Sequence, residues 1–409
     1  MDTTPGPTAV PVPRPIDPAL TPPPRLLLLD VLRGVAILGT LAMNIIYFDL
    51  SSGEGNRWVE DARTVFVNGS FFSLLALMFG VGLAVQFRAA RASGRRWPGR
   101  HPWRAVLLLL EGALHVVLVF AADVLMGYAV TALLVIWLLG RSERVRSVVM
   151  WSALGIHLAL MSTMAVLWAL TEPGRGERPD RAQGRLDEYE ALYLDGPYLD
   201  QVADRFTGFF LTRGEVVMAF PMMVFLFLLG VRLYRAGAFD DSAAGRGIRA
   251  RMVLWGFGLG LPLNILASQI FLLSPMARYV FPIVLILGYI GLTGWLLERV
   301  RPTGQVVRSL RAVGRTALTC YILQNVAASW LFYGWGMGLS RFLDDRGVEG
   351  LALDAWIFGG WLGITVLLVA GSRLWLHRFD RGPLEAFGAR LVALVPERRA
   401  RSSVRSGAE

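Results

Sequence analysis

Ten apolar blocks of bilayer-spanning length, separated by arginine-rich or short connections, constrain this chain more than any other feature. They cover 27–50, 69–87, 105–121, 124–140, 147–170, 215–234, 252–273, 279–297, 317–338 and 353–373. A hydrocarbon core needs about 20 consecutive apolar residues in helical form. A soluble chain of 409 residues would instead scatter its apolar residues through shorter amphipathic elements. The pattern predicts an all-α, polytopic transmembrane helical bundle of about ten spans. Basic residues gather in alternate connections: Arg88 to Arg104, Arg141 to Arg146, Arg235 to Arg251 and Arg299 to Arg315. By the positive-inside bias these lie on one side, which places both termini in the cytoplasm. The formal net charge of +10 comes from arginine alone and follows the same pattern, so it points to a membrane and not to nucleic acid.

The Pro-rich stretch 1–25 predicts a disordered cytoplasmic tail, with no cleavable signal sequence. Residues 26–377 form the transmembrane domain, with a long external loop at 171–214. That loop is expected to hold an interfacial helix around Leu186 to Phe210 that caps a cavity, or to be solvated and irregular. Residues 378–409 form a cytoplasmic amphipathic and basic tail, expected to lie on the inner surface against anionic lipid. Cys320 has no partner for a disulfide or thiolate site, and the four histidines show no zinc-ligand spacing. No phosphate loop or dinucleotide fingerprint occurs.

Polar groups inside apolar blocks are costly and mark function or polar packing. Asp30 and Arg33 open the first span, and Asn44 follows eleven residues after Arg33, on the same helix face about 16 Å further along. The third span repeats this layout with Arg104 and His115. Glu111, four residues before His115, shares that face, and Asp123 follows in the hairpin. An imidazole beside a carboxylate is the best candidate for proton chemistry. The alternative is a polar packing cluster. His157 stands alone in its span and reads as packing, whereas His101 and His377 fall in arginine-rich connections. Pro262 and Asn264 mark a kink that lines a pathway or stabilises a bend. Tyr321, Gln324 and Asn325, spaced i, i+3, i+4, share one face of the ninth span and need partners.

Four blocks carry a resemblance to a known family. They are Leu29-Asp30-Val31-Leu32-Arg33-Gly34 through Asn44; Phe71-Phe72-Ser73 through Gly82; Gly112 and His115 through Asp123 and Tyr128; and Gly314-Arg315 through Tyr321 and Gln324. With the closing Arg381-Gly382-Pro383-Leu384-Glu385, the chain resembles the YeiB-like family of bacterial inner-membrane proteins, a domain of unknown function for which a role in transport has been suggested. The first block is also similar to the wider superfamily of transmembrane acyltransferases. In its acyltransferase-3 branch the polar residue eleven after the arginine is His, and here it is Asn44. A heparan-sulfate acetyltransferase-like branch tolerates Asn there and finds its His elsewhere, which implies His115 in this chain.

The leading expectation is a membrane-embedded O- or N-acyltransferase. Acyl-CoA or another acyl-thioester would serve as co-substrate, with no metal and no permanently bound cofactor. His115, Glu111 and Asp123 are the catalytic candidates. Asp30, Arg33, Asn44, Arg104, Tyr321, Gln324 and Asn325 are the substrate- or donor-binding candidates. The alternative is a transporter or exporter that uses the Glu/His face as a proton relay. Expected partners are membrane lipids and a small-molecule or lipid substrate.

Overall fold

The computed structural model describes residues 27–171 and 180–396. The Pro-rich tail and the last basic residues lie outside them. Among the described residues the chain is helical, with no named strand and one isolated bridge between Gly55 and Gly350. The helices are α1 (Leu27–Asn44), α2 (Arg57–Phe66), α3 (Ser70–Ala92), α4 (His101–Leu118), α5 (Leu125–Leu139), α6 (Glu143–Thr171), α7 (Asp180–Asp195), α8 (Tyr198–Thr207) and α9 (Gly214–Arg235). They continue with α10 (Ala243–Trp255), α11 (Leu261–Gln269), α12 (Ser274–Tyr279), α13 (Phe281–Leu297), α14 (Gln305–Arg315), α15 (Ala317–Phe332), α16 (Leu339–Asp344), α17 (Gly350–Leu376) and α18 (Pro383–Ala393).

Every apolar block forms helix. Among the described residues, seven helical stretches are long and apolar enough to cross a membrane, and an eighth arises if the bent pair around Tyr279 and Phe281 counts as one span. The blocks at 124–140 and 317–338 give the shorter apolar helices Leu125–Leu139 and Ala317–Phe332. Those two are among the best buried. Tyr128, Val135 and Ile136 of α5 and Tyr321, Gln324 and Asn325 of α15 are almost wholly inaccessible. They form the inner layer with α1, α3 and α9. The outer faces of α4, α6 and α17 carry exposed Leu, Val and Trp, the surface a lipid-facing helix presents.

Glycine lets the inner helices approach closely. A Cβ on Gly80 of α3 would overlap the Phe227 carbonyl of α9, and one on Gly230 of α9 would overlap the Leu77 carbonyl of α3. Small residues facing each other across a crossing are the usual device for membrane-helix packing, where no hydrophobic force drives helices together. Gly34 and Gly314 do the same for α1 against α14.

A π turn at Gly256–Gly260 precedes Pro262 and α11, and the Asn264 amide, fully buried, donates to the Gly260 carbonyl at 2.8 Å. The loop at 171–214 holds two helices, α7 and α8, in place of a single interfacial one. The C-terminal amphipathic stretch does not lie free on a surface. It is α18, and it packs against α4 and α15.

Candidate functional site

The turn between α4 and α5 begins at His115, whose carbonyl accepts from the backbone N–H of Val119 and Phe120 at 2.8 and 2.9 Å. It ends at Asp123, whose Oδ2 accepts from the Leu125 N–H at 2.9 Å and so caps the start of α5. The other carboxylate oxygen, Oδ1, lies 2.9 Å from His115 Nδ1 and accepts the Tyr321 hydroxyl at 3.1 Å. An acceptor-only carboxylate holds a proton on Nδ1, which leaves Nε2 as the acceptor of the ring. The remaining contacts agree. Asn325 Nδ2 approaches His115 Nε2 at 3.3 Å, and Asn325 Oδ1 accepts from Asn44 Nδ2 at 3.0 Å. Five side chains from α1, α4, α15 and one turn thus make a continuous polar chain, all buried. In apolar surroundings such a network is rigid when every member is satisfied.

A cavity of about 420 Å³ lies nearer the arginine-rich end. Arg33, Arg104, Arg315 and Arg381 give it cationic character, Glu111 and Glu385 supply two acidic side chains, and His101 also lines it. Leu75, Met78, Phe79, Leu83 and Ile136 form its apolar wall. Several of the cations are held in place. Arg33 faces Asp30 at 3.9 Å, Arg104 donates to Gln86 at 3.2 Å, and Arg315 donates to the Asp380 carbonyl at 2.8 Å. His101 Nδ1 meets the same Gln86 oxygen at 2.9 Å. Asp30 also faces Arg311 at 3.8 Å. The combination of clustered guanidinium groups and a greasy wall suits an amphiphile with an anionic head.

The predicted site residues therefore fall into two groups. His115, Asp123, Asn44, Tyr321 and Asn325 meet in the buried network. Arg33, Arg104 and Glu111 line the cavity, with Asp30 behind Arg33. Among the described residues no hydrogen bond joins Glu111 to His115, although they share a helix face. Glu111 sits one turn, about 6 Å, nearer the arginine-rich end, and the carboxylate that orients the imidazole is Asp123. Gln324 joins neither group. It is fully buried, and neither of its amide atoms has a hydrogen-bond partner within the described residues. No group of three or more His, Cys, Asp and Glu side chains gathers among the described residues.

Three sets of residues escaped sequence reasoning. Arg315, Arg381 and Glu385 complete the cavity. Glu215, Arg278 and Tyr279 form a second cluster beyond the network: Glu215 accepts from Arg278 Nη2 at 2.6 Å and from the Tyr279 hydroxyl at 2.7 Å. With Thr40, Asn44, Tyr47 and Tyr321 they surround a smaller cavity of about 50 Å³. The third set is Arg205 and Arg213, whose guanidinium groups reach the backbone of the α4–α5 turn. The motif in Arg381 to Glu385 was visible in the sequence, but not its contact with the third span. The other residues stand in polar connections or at span ends, where charge is ordinary.

Comparison with known proteins fits this architecture. Residues 233–394 match the family described as "Protein of unknown function (DUF418)". The chain is 25% identical over 394 residues to the uncharacterized protein YxaH of Bacillus subtilis, covering 88% of this chain and 92% of the relative. It is 26% identical over 382 residues to the uncharacterized protein YeiB of Escherichia coli, covering 87% and 93%. The chain is similar to these two relatives over most of its length, and the DUF418 match covers its C-terminal part. No solved structure matches it significantly. Neither the family description nor either relative's name states an activity.

Proposed function

We propose that this protein is a membrane-embedded acyltransferase of the bacterial inner membrane. The observation that supports this most is the 2.9 Å contact between His115 Nδ1 and the Asp123 carboxylate. Asp123 holds the Nδ1 proton, so Nε2 carries the lone pair that a general base needs. An acceptor hydroxyl or amine takes the place that the Asn325 amide now occupies at Nε2. As its oxygen or nitrogen attacks the thioester carbonyl, the proton passes to Nε2. The C–S bond breaks, and the thiolate leaves with that proton. Asn325 and Asn44 lie beside the imidazole and supply amide donors for the developing oxyanion.

The larger cavity serves the donor. A thioester such as acyl-CoA has an anionic end, which Arg33, Arg104, Arg315 and Arg381 neutralise, and an acyl end, which the Leu75–Met78–Phe79 wall accepts. The donor comes from the cytoplasm under the topology set by the arginine-rich connections. The test is transfer of a radiolabelled acyl group from acyl-CoA to a panel of alcohols and amines by the purified protein in lipid. His115→Ala should abolish transfer. Transfer at the wild-type rate by that variant would end this mechanism.

A second reading, a transporter, has one observation in its favour. Asn44 and Tyr321 of the buried network line the 50 Å³ cavity, and Glu111, one turn before His115, lines the 420 Å³ cavity, an arrangement that would suit a closed gate between two access paths. Proton-gradient-dependent movement of an unmodified solute in proteoliposomes would favour it over acyl transfer.

A further inference from the structure

The end of α4 and the turn that follows it carry the His115–Asp123 pair, and their backbone is held from outside by two arginines. The last carbonyls of a helix have no partner within the helix and carry its negative dipole end. At the end of α4 they are met by Arg205 of α8. Its Nε donates to the Val117 carbonyl at 2.9 Å and its Nη2 to the Leu118 carbonyl at 3.2 Å. The Tyr198 hydroxyl adds a bond to Leu118 at 2.8 Å. Arg205 is only 3% exposed, with the Tyr193 and Tyr198 rings 5.6 and 6.0 Å from its guanidinium carbon. Arg213, just before α9, donates through Nη1 to the Asp123 carbonyl at 3.3 Å and through Nη2 to the Ala121 carbonyl.

We infer that Arg205 and Arg213 are positioning residues: they clamp the α4–α5 turn and so set the distance and angle between the Asp123 carboxylate and His115 Nδ1. This rests on the proposed role of His115 for its functional meaning, but the clamp itself is a statement about the imidazole. The geometry gives each arginine a separate share. Arg205 fixes the end of α4 immediately after His115, and Arg213 fixes the Asp123 backbone. A planar fork spans two carbonyls, whereas a lysine ammonium is a single point charge. Arg205→Lys gives up the fork but keeps the charge that meets the helix-end dipole, and the Tyr198 hydroxyl still bonds the Leu118 carbonyl, so it should hold the end of α4. Arg213→Lys should lose the bridge between Ala121 and Asp123.

The experiment is nitrogen-15 NMR of the full chain, labelled at histidine, in lipid nanodiscs. Four histidines contribute (His101, His115, His157 and His377), and His115→Gln assigns the signal of interest. In the wild type His115 should give one tautomer, with the proton on Nδ1. In Arg205→Ala and Arg213→Ala that signal should lose intensity to the Nε2–H form, and Arg205→Lys should restore it. A purely structural role would lower the unfolding temperature of these variants and leave the His115 signal unchanged, and that result overturns the inference. If the alanine variants do not fold, Arg213→Lys gives the reading. Retention of a single Nδ1–H signal in that variant counts against the clamp, and a mixture supports it. The parent reading fails differently: a wild-type His115 in the Nδ1–H form with no acyl transfer leaves the clamp intact and removes the enzyme.

Discussion

Asp123 meets two demands within one turn. Its Oδ2 satisfies the first free N–H of α5, and its Oδ1 fixes the imidazole of His115 and receives the Tyr321 hydroxyl. Asparagine cannot meet both. If its carbonyl keeps the Leu125 bond, its amide faces Nδ1 and drives the proton to Nε2. Nε2–H then confronts the Asn325 amide, donor against donor, and the Asn325–Asn44 bond must reverse. Asp123→Asn should thus retain the fold while lowering acyl transfer by about ten-thousandfold, as loss of an orienting carboxylate does in acyl-transfer triads. Nitrogen-15 spectra should show the Nε2–H tautomer, and an unchanged tautomer would contradict the assignment. A second substitution tests packing alone. Gly34→Ala puts a methyl group against the Leu310 carbonyl and should cost about 1–3 kcal/mol. Gly359→Ala, in the interior of α17 where nothing lies within 4 Å, should not lower the unfolding midpoint and, by helix propensity, should raise it slightly. Helical spacing made Asn44, His115, Tyr321 and Asn325 legible in the sequence, because a polar residue on an apolar face must find a partner. It could not separate Glu111 from His115. Spacing of four sets a common face but not the neighbour each turn meets, and here one turn faces α18 and the next faces α15.

Among the elements, α18 shows how an amphipathic signal can be legible while its destination is not. The apolar stripe from Leu384 to Val392 suits a lipid surface or a protein groove equally, and the residues that decide lie elsewhere in the chain. Glu385 is what fixes it. Its Oε1 accepts from the backbone N–H of Leu318 and Thr319 at 2.8 and 3.3 Å, and its Oε2 accepts the Thr319 hydroxyl at 2.6 Å. A carboxylate at a helix N-terminus satisfies free donors and meets the positive dipole end. Losing it costs about 1–2 kcal/mol. Because α18 supplies Leu384, Glu385, Gly388, Ala389 and Val392 to the cavity wall, its attachment governs access to that cavity. Glu385→Ala should raise hydrogen exchange across 383–393 and at the first turn of α15, with α3 and α9 unaffected. Uniform exchange across all helices would mean that the substitution loosens the whole bundle and that α18 is no separate unit.

At the scale of the molecule, the number of crossings decides where the ends of the chain lie. Seven long apolar helices would put them on opposite sides of the membrane, and eight or ten on the same side. The bent pair α12–α13 sets that parity, and the two short helices α5 and α15 decide between eight crossings and ten. At about 1.5 Å per residue, 15 and 16 residues give about 23 and 24 Å, less than a full hydrocarbon core. Both are buried among longer helices, so lipid need not match their length. The contacts favour counting them. Arg235 at the end of α9 pairs with Glu143 at the start of α6, and Arg33, Arg104, Arg315 and Arg381 share one cavity, which places these connections at one end. Ser52 meets Asp344, Gly334 bonds to Tyr193 at 3.0 Å and Arg278 bonds to Asn68 at 3.0 Å, which defines the other. Chain order then sends α4 and α5, and likewise α15 and α17, in opposite directions. Cys320 is buried and is the single cysteine, so Cys320→Ser gives a background for single-cysteine labelling. Cysteines introduced at Ser93, Ser142, Ser242 and Thr303 should react with an impermeant maleimide from one face of inverted vesicles. Those at Ser52, Thr207 and Asp345 should react only from the other. If Ser93 and Ser142 label from opposite faces, α4 and α5 do not both cross, and the His115–Asp123 turn loses its place at the far end of the bundle.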